Sequence, residues 1–244
     1  NPLGIRPIPG LLFSFSIPAI ISCLVNSVYN IVDQIFIGQG VGYLGNAATT
    51  IAFPMMTIMM AFGTLIGSGA SAYAALRLGE GRKREALLTL NNLLTISIGI
   101  GILLTLVGLM FLKPLLILFG ATDSTMQYAW DYTFIVLLGV PFNIISIALS
   151  NMARTDGNPR MSMYGILIGA VLNTILDPIY IFVLDWGVKG AAIATITSQF
   201  VSMVVLCYYF LRRGNMRFTR RYLKPVGRVW YKIFTLGISS GITS

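Results

Sequence analysis

Two aspartates lie in or directly beside long apolar stretches, and they are the residues of this chain best placed to bind a cation. Asp33 directly follows a charge-free stretch, 7–32, and Asp177 is the single charged residue of the stretch 161–184. An aspartate at the centre of a transmembrane helix costs about 2.5–3.5 kcal/mol on insertion scales. Intramembrane ionisable residues are functional by default, although a helix-end or purely structural role is the alternative for each.

Amides accompany both carboxylates. Asn26, Asn30 and Asp33 follow the spacing i, i+4, i+7, which places them on one helix face. Asn173 precedes Asp177 by one helical turn. Such a polar face is predicted to line a protein interior or a water-filled cavity, with interhelical hydrogen bonding as the alternative for Asn26 and Asn30.

Two prolines interrupt the same segments. Pro178 lacks an N–H and frees the carbonyl of Thr174, an arrangement typical of the ion sites in interrupted transporter helices. Pro18 is predicted to bend the first apolar segment, either as a hinge or as a static kink. Asp33 lies about five residues before the turn at Gly38, and Asp177 about eight before Asp185, so both carboxylates are expected at similar depth and could face one cavity.

The composition predicts the elements that carry these residues. Of the 244 residues, 56% are hydrophobic and only 10% are charged, whereas a soluble domain carries about 25% charged residues. Charge-free runs near 20 residues are long enough to cross a bilayer. We therefore expect an all-α integral membrane protein with a six-transmembrane-helix bundle. The predicted spans are 11–37, 47–78, 87–118, 125–153, 162–184 and 190–211.

The basic residues set the orientation. Fifteen of the 17 Lys and Arg residues, Arg6 among them, fall on one side of this layout, and Lys113 and Lys189 on the other. The positive-inside rule then places the N-terminus in the cytoplasm. The net charge of +9 is explained by topology, so no nucleic-acid partner is expected.

Residues 1–211 form the six-helix lobe and 212–232 a basic cytoplasmic linker, solvated or in contact with anionic lipid. Residues 233–244 are expected to be the truncated start of a seventh transmembrane helix.

The chain lacks the residues that several classes of enzyme and of ATP-driven protein require. The chain has no histidine, which removes Ser-His and Cys-His catalytic pairs. No G-x-x-x-x-G-K-[ST] motif is present, and Cys23 and Cys207 lie apart within apolar runs. No enzyme activity and no cofactor are expected, and an ion gradient is the natural driving force for any transport.

Several segments together resemble the amino-terminal half of the multidrug and toxic compound extrusion (MATE) transporters. They are Pro18 with Asp33, Asn173-Thr-Ile-Leu-Asp177-Pro178, Gly190-Ala-Ala-Ile-Ala-Thr195, and the turns Leu78-Gly-Glu-Gly-Arg-Lys-Arg-Glu-Ala86 and Arg154-Thr-Asp-Gly-Asn-Pro-Arg160. The motif around Asp177 is the most specific, and the resemblance covers nearly the whole chain.

The resemblance implies one lobe of a twelve-helix antiporter in the cell inner (plasma) membrane, with the carboxy-terminal lobe missing. By position, Asp33, Asn173, Asp177 and Thr195 would form a cation site for H⁺ or Na⁺, and Pro18 would be a bending point. The substrate would be an organic, cationic or amphipathic compound. Membrane lipid is the surrounding partner.

Three alternatives remain. The related lipid-linked oligosaccharide flippases would be expected to place cationic residues in the cavity for a pyrophosphate, and the interiors of the spans contain none, since Arg77 and Lys113 lie near span ends. A membrane scaffold or receptor does not explain a pair of buried carboxylates. An intramembrane enzyme lacks its catalytic residues.

Overall fold

A computed structural model describes residues 8–242, and these residues form a helical bundle. Arg6, one of the cations used for orientation, lies outside the described residues, as do the last two residues of the predicted segment 233–244. The α-helices are α1 (Ile8–Gly40), α2 (Tyr43–Gly79), α3 (Lys83–Met110), α4 (Leu112–Leu118), α5 (Met126–Thr155), α6 (Pro159–Pro178), α7 (Gly187–Tyr208) and α8 (Gly227–Ile242).

Six of these helices are long and apolar enough to cross a membrane, which confirms the predicted number of spans. With the π-helical turns that extend α6 and α7, they are Leu12–Gly40, Tyr43–Gly79, Lys83–Met110, Met126–Thr155, Pro159–Val183 and Gly187–Arg213. The third span was predicted to reach residue 118, and this boundary was wrong. The helix ends at Met110, and the short α4 follows after Phe111. Pro114 lacks an N–H for the carbonyl of Met110, so a continuous helix would lose a bond there.

The bundle is centred on α5, which packs against α2, α3, α6 and α7. Large aliphatic side chains from α2, α3 and α5 fill the main core, including Ile66, Leu93 and Leu149, each at most 1% exposed. Thr105 of α3 donates to the carbonyl oxygen of Leu137 in α5 at 2.8 Å. Polar side chains inside the bundle therefore join helices through main-chain carbonyls, as expected where water is absent.

Small residues let α6 approach α7 closely. A Cβ at Gly169 would contact Oγ of Ser202, and one at Gly165 would lie 3.1 Å from the side chain of Leu206. Oγ of Ser202 donates to the carbonyl oxygen of Gly165 at 2.8 Å. Gly165 and Gly169 therefore allow close packing of the two helices in this part of the span.

The first span is the least enclosed, since α1 packs mainly on α6. Pro18 lies inside α1 and is buried, and Oγ of Ser22 donates to its carbonyl oxygen at 2.7 Å. Most of the large apolar residues of α1 are exposed, among them Leu24, Val28 and Ile31. This face is available to lipid or to further protein.

The linker is shorter than predicted, because α8 begins at Gly227 and not at residue 233. The helix packs on α2, where two glycines meet. A Cβ at Gly69 would collide with the carbonyl oxygen of Ile233 and lie 2.8 Å from the nitrogen of Gly237. A Cβ at Gly237 would collide with the carbonyl oxygen of Leu65. Main chain therefore contacts main chain at this crossing.

Candidate cation site

The structure brings the two intramembrane aspartates together between α1 and α6. Asp33 is 8% exposed and Asp177 is fully buried. Their carboxyl groups lie within hydrogen-bonding reach of each other. Two carboxylates this close cannot both remain charged at low cost, so the pair favours a bound proton or a shared cation.

Asn173 supports one of these carboxyls. It lies one turn before Asp177 on α6 and is 2% exposed, and its Nδ2 donates to Oδ1 of Asp177 at 3.2 Å. Its own Oδ1 faces the interior without a donor. The amide therefore orients one carboxyl and still presents an oxygen.

Thr195 lies on α7 and is 7% exposed. Its Oγ1 donates to the carbonyl oxygen of Ala191 at 3.0 Å, so the lone pairs of the hydroxyl oxygen remain available. The hydroxyl lies beside the phenol of Tyr132, which is itself close to Asp33 and Asp177. The structure thus brings all four residues proposed for the cation site to one region of the bundle.

Two tyrosines in this region were not among the residues predicted from the sequence. Tyr29 precedes Asp33 by one turn of α1 and lies close to both aspartates. Tyr132 of α5 is 3% exposed. The i, i+4 spacing could have indicated Tyr29, whereas only the packing of α5 against α7 brings in Tyr132. Each phenol adds a hydroxyl group to this region of the bundle, which can act as a donor or as an acceptor.

Three oxygens of the site have no hydrogen-bond donor in the described structure. They are Oδ1 of Asp33, Oδ1 of Asn173 and Oδ2 of Asp177. A buried acceptor without a partner is unfavourable and requires an explanation. A proton on the pair, or a hard cation bound by oxygen ligands, satisfies these atoms. The described residues hold no group of three or more His, Cys, Asp and Glu side chains that could bind a metal.

A change in helix geometry follows Asp177 directly. The helix does not break at Pro178, contrary to the interrupted helix suggested by the sequence, but widens into a π-helical turn over Ile179–Val183. The N–H of Leu184 donates to the carbonyl oxygen of Ile179 at 2.9 Å, which is the i+5 pattern. Because proline supplies no N–H, the hydrogen bonding shifts register here and the helix can continue.

A glycine in α7 allows this wide turn to fit. A Cβ at Gly190 would lie 2.7 Å from the carbonyl oxygen of Tyr180. Ala191 and Ala192 beside it are fully buried. The small residues at the start of α7 therefore allow the π turn to lie against this helix. The same close approach brings the end of α6, which carries Asp177, against α7.

Asn26 and Asn30 are not brought to the aspartate pair. Both are exposed, and Nδ2 of Asn30 donates to the carbonyl oxygen of Asn26 at 2.6 Å. Asn30 lines an open groove with Gln34 and Asn46, at the end of α1 that approaches α2. The two amides remain candidates for lining a cavity on the exposed side of α1.

Comparison with known proteins identifies relatives over nearly the whole chain. The MatE family model matches residues 18–179. Multidrug export protein MepA of Staphylococcus haemolyticus is 31% identical over 232 residues, covering 93% of this chain and 50% of the relative. The protein of the same name from Staphylococcus aureus strain MRSA252 is 30% identical, covering 98% and 53%.

A solved structure shows the same arrangement of helices. The outward-facing structure of a multidrug resistance MATE family transporter of the MOP superfamily superimposes with a TM-score of 0.88 at 28% identity. The match covers 95% of this chain and 52% of that one. The chain spans about half the length of the curated relatives it matches.

Proposed function

The chain belongs to the MatE family, and on that premise we propose that it is the amino-terminal lobe of a secondary antiporter. The protein exports organic, cationic or amphipathic compounds in exchange for H⁺ or Na⁺ and is not an enzyme. Relatives named as multidrug export proteins support this proposal. The observation that carries the ion coupling is the pair of buried carboxyls with unpartnered oxygens at Asp33 and Asp177.

Each residue of the site has a role in the proposal. Asp33 and Asp177 take up and release the coupling ion, since together they supply the negative charge. Asn173 orients Asp177 by the 3.2 Å hydrogen bond, and Thr195 contributes a neutral oxygen. Pro18 acts as the hinge of α1, a helix that is free to move because it packs mainly on α6.

Ion binding changes the relative stability of two conformations. With the site empty, two carboxylates repel each other, and separation of α1 from α6 relieves the repulsion. With an ion bound, the pair is neutralised and the close packing seen here is favoured. An ion gradient therefore shifts the population between two states of the lobe, which is what coupling to substrate requires.

The organisation of the chain follows from this proposal. Residues 1–211 form one six-helix lobe, 212–226 a cytoplasmic linker, and α8, which begins at Gly227, the first part of a seventh transmembrane helix of the second lobe. The protein is placed in the plasma membrane as a multi-pass protein, with the lysine- and arginine-rich side in the cytoplasm. No buried lysine or arginine is found among the described residues, so a pyrophosphate-carrying substrate is disfavoured.

The proposed function predicts gradient-driven accumulation of a cationic dye by the full-length protein in vesicles. One of the two imposed gradients, H⁺ or Na⁺, should drive accumulation, and an ionophore that collapses it should stop it. The gradient that drives accumulation identifies the coupling ion. Equal dye movement with and without either gradient would contradict ion-coupled export.

A further inference from the structure

The segment between α7 and α8 is held against the inner end of the bundle by buried side chains. Asp156, which follows α5, accepts hydrogen bonds from the backbone N–H groups of Asn215 at 2.9 Å and Met216 at 2.8 Å. The hydroxyl of Tyr209 donates to the same carboxyl at 2.6 Å. Burial raises the pKa of Asp156, and these three donors act against the rise.

Two asparagines of α3 hold the rest of the segment. Oδ1 of Asn91 accepts from the N–H of Thr219 at 2.9 Å. Oδ1 of Asn92 accepts from the N–H of Val226 at 2.8 Å and from Nε1 of Trp230 at 3.1 Å. Both asparagines are fully buried. The backbone of the segment is therefore fixed to the bundle at several points and is not a free tether.

The charged side chains of this segment are all basic. We call residues 212–232 the basic strap; it runs from the end of the π turn after α7 into the first six residues of α8, and it contains eight Lys and Arg residues and no Asp or Glu. Seven of these side chains are described, and each is exposed. None of the seven has a described carboxylate within ion-pairing distance. They are Arg212, Arg213, Arg217, Arg221, Lys224, Arg228 and Lys232.

The other large basic cluster on this side of the protein is different. In the turn between α2 and α3, Arg77 pairs with Glu80 at 2.7 Å and with Glu85 at 3.0 Å. Arg82 lies 3.4 Å from the same Glu80 carboxylate. Topology alone explains why cations collect on this side, but it does not explain why one cluster carries its own acids and the strap carries none.

We propose that the basic strap binds the anionic headgroups of phospholipids in the cytoplasmic leaflet. Its anchors are Asp156, directly after α5, and Asn91 and Asn92, about two turns into α3, so we expect its exposed cations near the membrane surface on this side. Tyr231 is 65% exposed, and tyrosine side chains favour the membrane interface. Because the strap is already fixed, little conformational entropy is lost when lipid binds.

The test compares binding of phosphatidylglycerol and phosphatidylcholine to the purified full-length protein in detergent, followed by native mass spectrometry. The strap variant carries Arg213→Gln, Arg221→Gln, Lys224→Gln and Arg228→Gln. The control variant removes the same number of charges from the same side through Arg82→Gln, Lys83→Gln, Arg84→Gln and Arg160→Gln. Phosphatidylglycerol should bind the strap variant at least about tenfold more weakly than wild type, since each basic residue near an anionic surface contributes on the order of a fivefold gain.

The control variant should bind phosphatidylglycerol within about twofold of wild type, because its cations are not in the strap. In the wild type, the preference for phosphatidylglycerol over phosphatidylcholine should fall as salt is raised, and millimolar inorganic phosphate should not displace the lipid. Equal losses in both variants, no lipid preference in the wild type, or displacement by inorganic phosphate would each overturn the proposal. The wild-type lipid comparison holds whether or not the variants fold, and neither readout depends on transport.

Discussion

Asp177→Asn is expected to abolish ion-driven export while leaving the protein folded. The amide has nearly the size of the carboxyl, so the packing of a fully buried residue is kept, but it can no longer take up or release a proton. The ion-driven component should fall on the order of 100-fold, near the upper end for coupling between two sites. The measurement is dye accumulation in vesicles under the gradient that drives the wild type.

A stability measurement separates this loss from misfolding. Removing one of two buried neighbouring carboxylates relieves their repulsion, so the thermal unfolding temperature should equal or exceed that of wild type. Asp131→Asn is the matched control, because Asp131 lies near the same end of the bundle and pairs with Lys189 at 3.3 Å. That variant should transport as the wild type does. Full gradient-driven export by Asp177→Asn would rule out a coupling role for this carboxyl.

Gly69→Val is expected to have the second largest effect, by displacing α8 from α2. The new side chain would meet the carbonyl oxygen of Ile233 and the nitrogen of Gly237. Both are main-chain atoms, so one helix must move. Overpacking of this kind costs about 1–3 kcal/mol. The thermal unfolding temperature of the full-length protein in detergent should fall, and trypsin should cleave the basic strap faster because the last six residues of the strap form the start of α8.

Gly99→Val is the control for the effect that replacing a helical glycine by valine has on the helix alone. Gly99 lies inside α3, and a Cβ there would contact nothing within 4 Å. Both variants replace a helical glycine by valine, so the change in helix propensity is the same. Unchanged unfolding and unchanged trypsin cleavage in Gly69→Val would show that α8 does not pack on α2 as described.

The spans and the aspartate pair could be predicted because each depends on a local signal. A charge-free run of about 20 residues marks a span wherever it occurs, and a carboxylate inside it is conspicuous. The common depth of Asp33 and Asp177 also followed from counting residues back to the turns. The contact between the two carboxyl groups could not be predicted from the sequence, because it requires α1 to pack on α6 rather than on another helix.

Other features of the site depend on contacts that no short segment of sequence specifies. Tyr132 reaches the aspartates only because α5 packs beside α7. The π turn after Pro178 depends on the close approach allowed by Gly190. Asn91 and Asn92 lie in a charge-free run and resemble ordinary polar residues of a span, yet both hold the strap. Asn26 and Asn30 share a helix face with Asp33 by spacing, but the neighbouring helix buries only the aspartate.

Direct cation binding tests the central claim most simply. Proton uptake from a weakly buffered solution and equilibrium binding of radioactive Na⁺ should be measured on the purified full-length protein and on the double variant Asp33→Asn/Asp177→Asn. Because two close carboxyls share one ion, the variant should bind about one cation fewer per chain than wild type, as H⁺ or as Na⁺. Equal cation binding by the two proteins would contradict a cation site at Asp33 and Asp177.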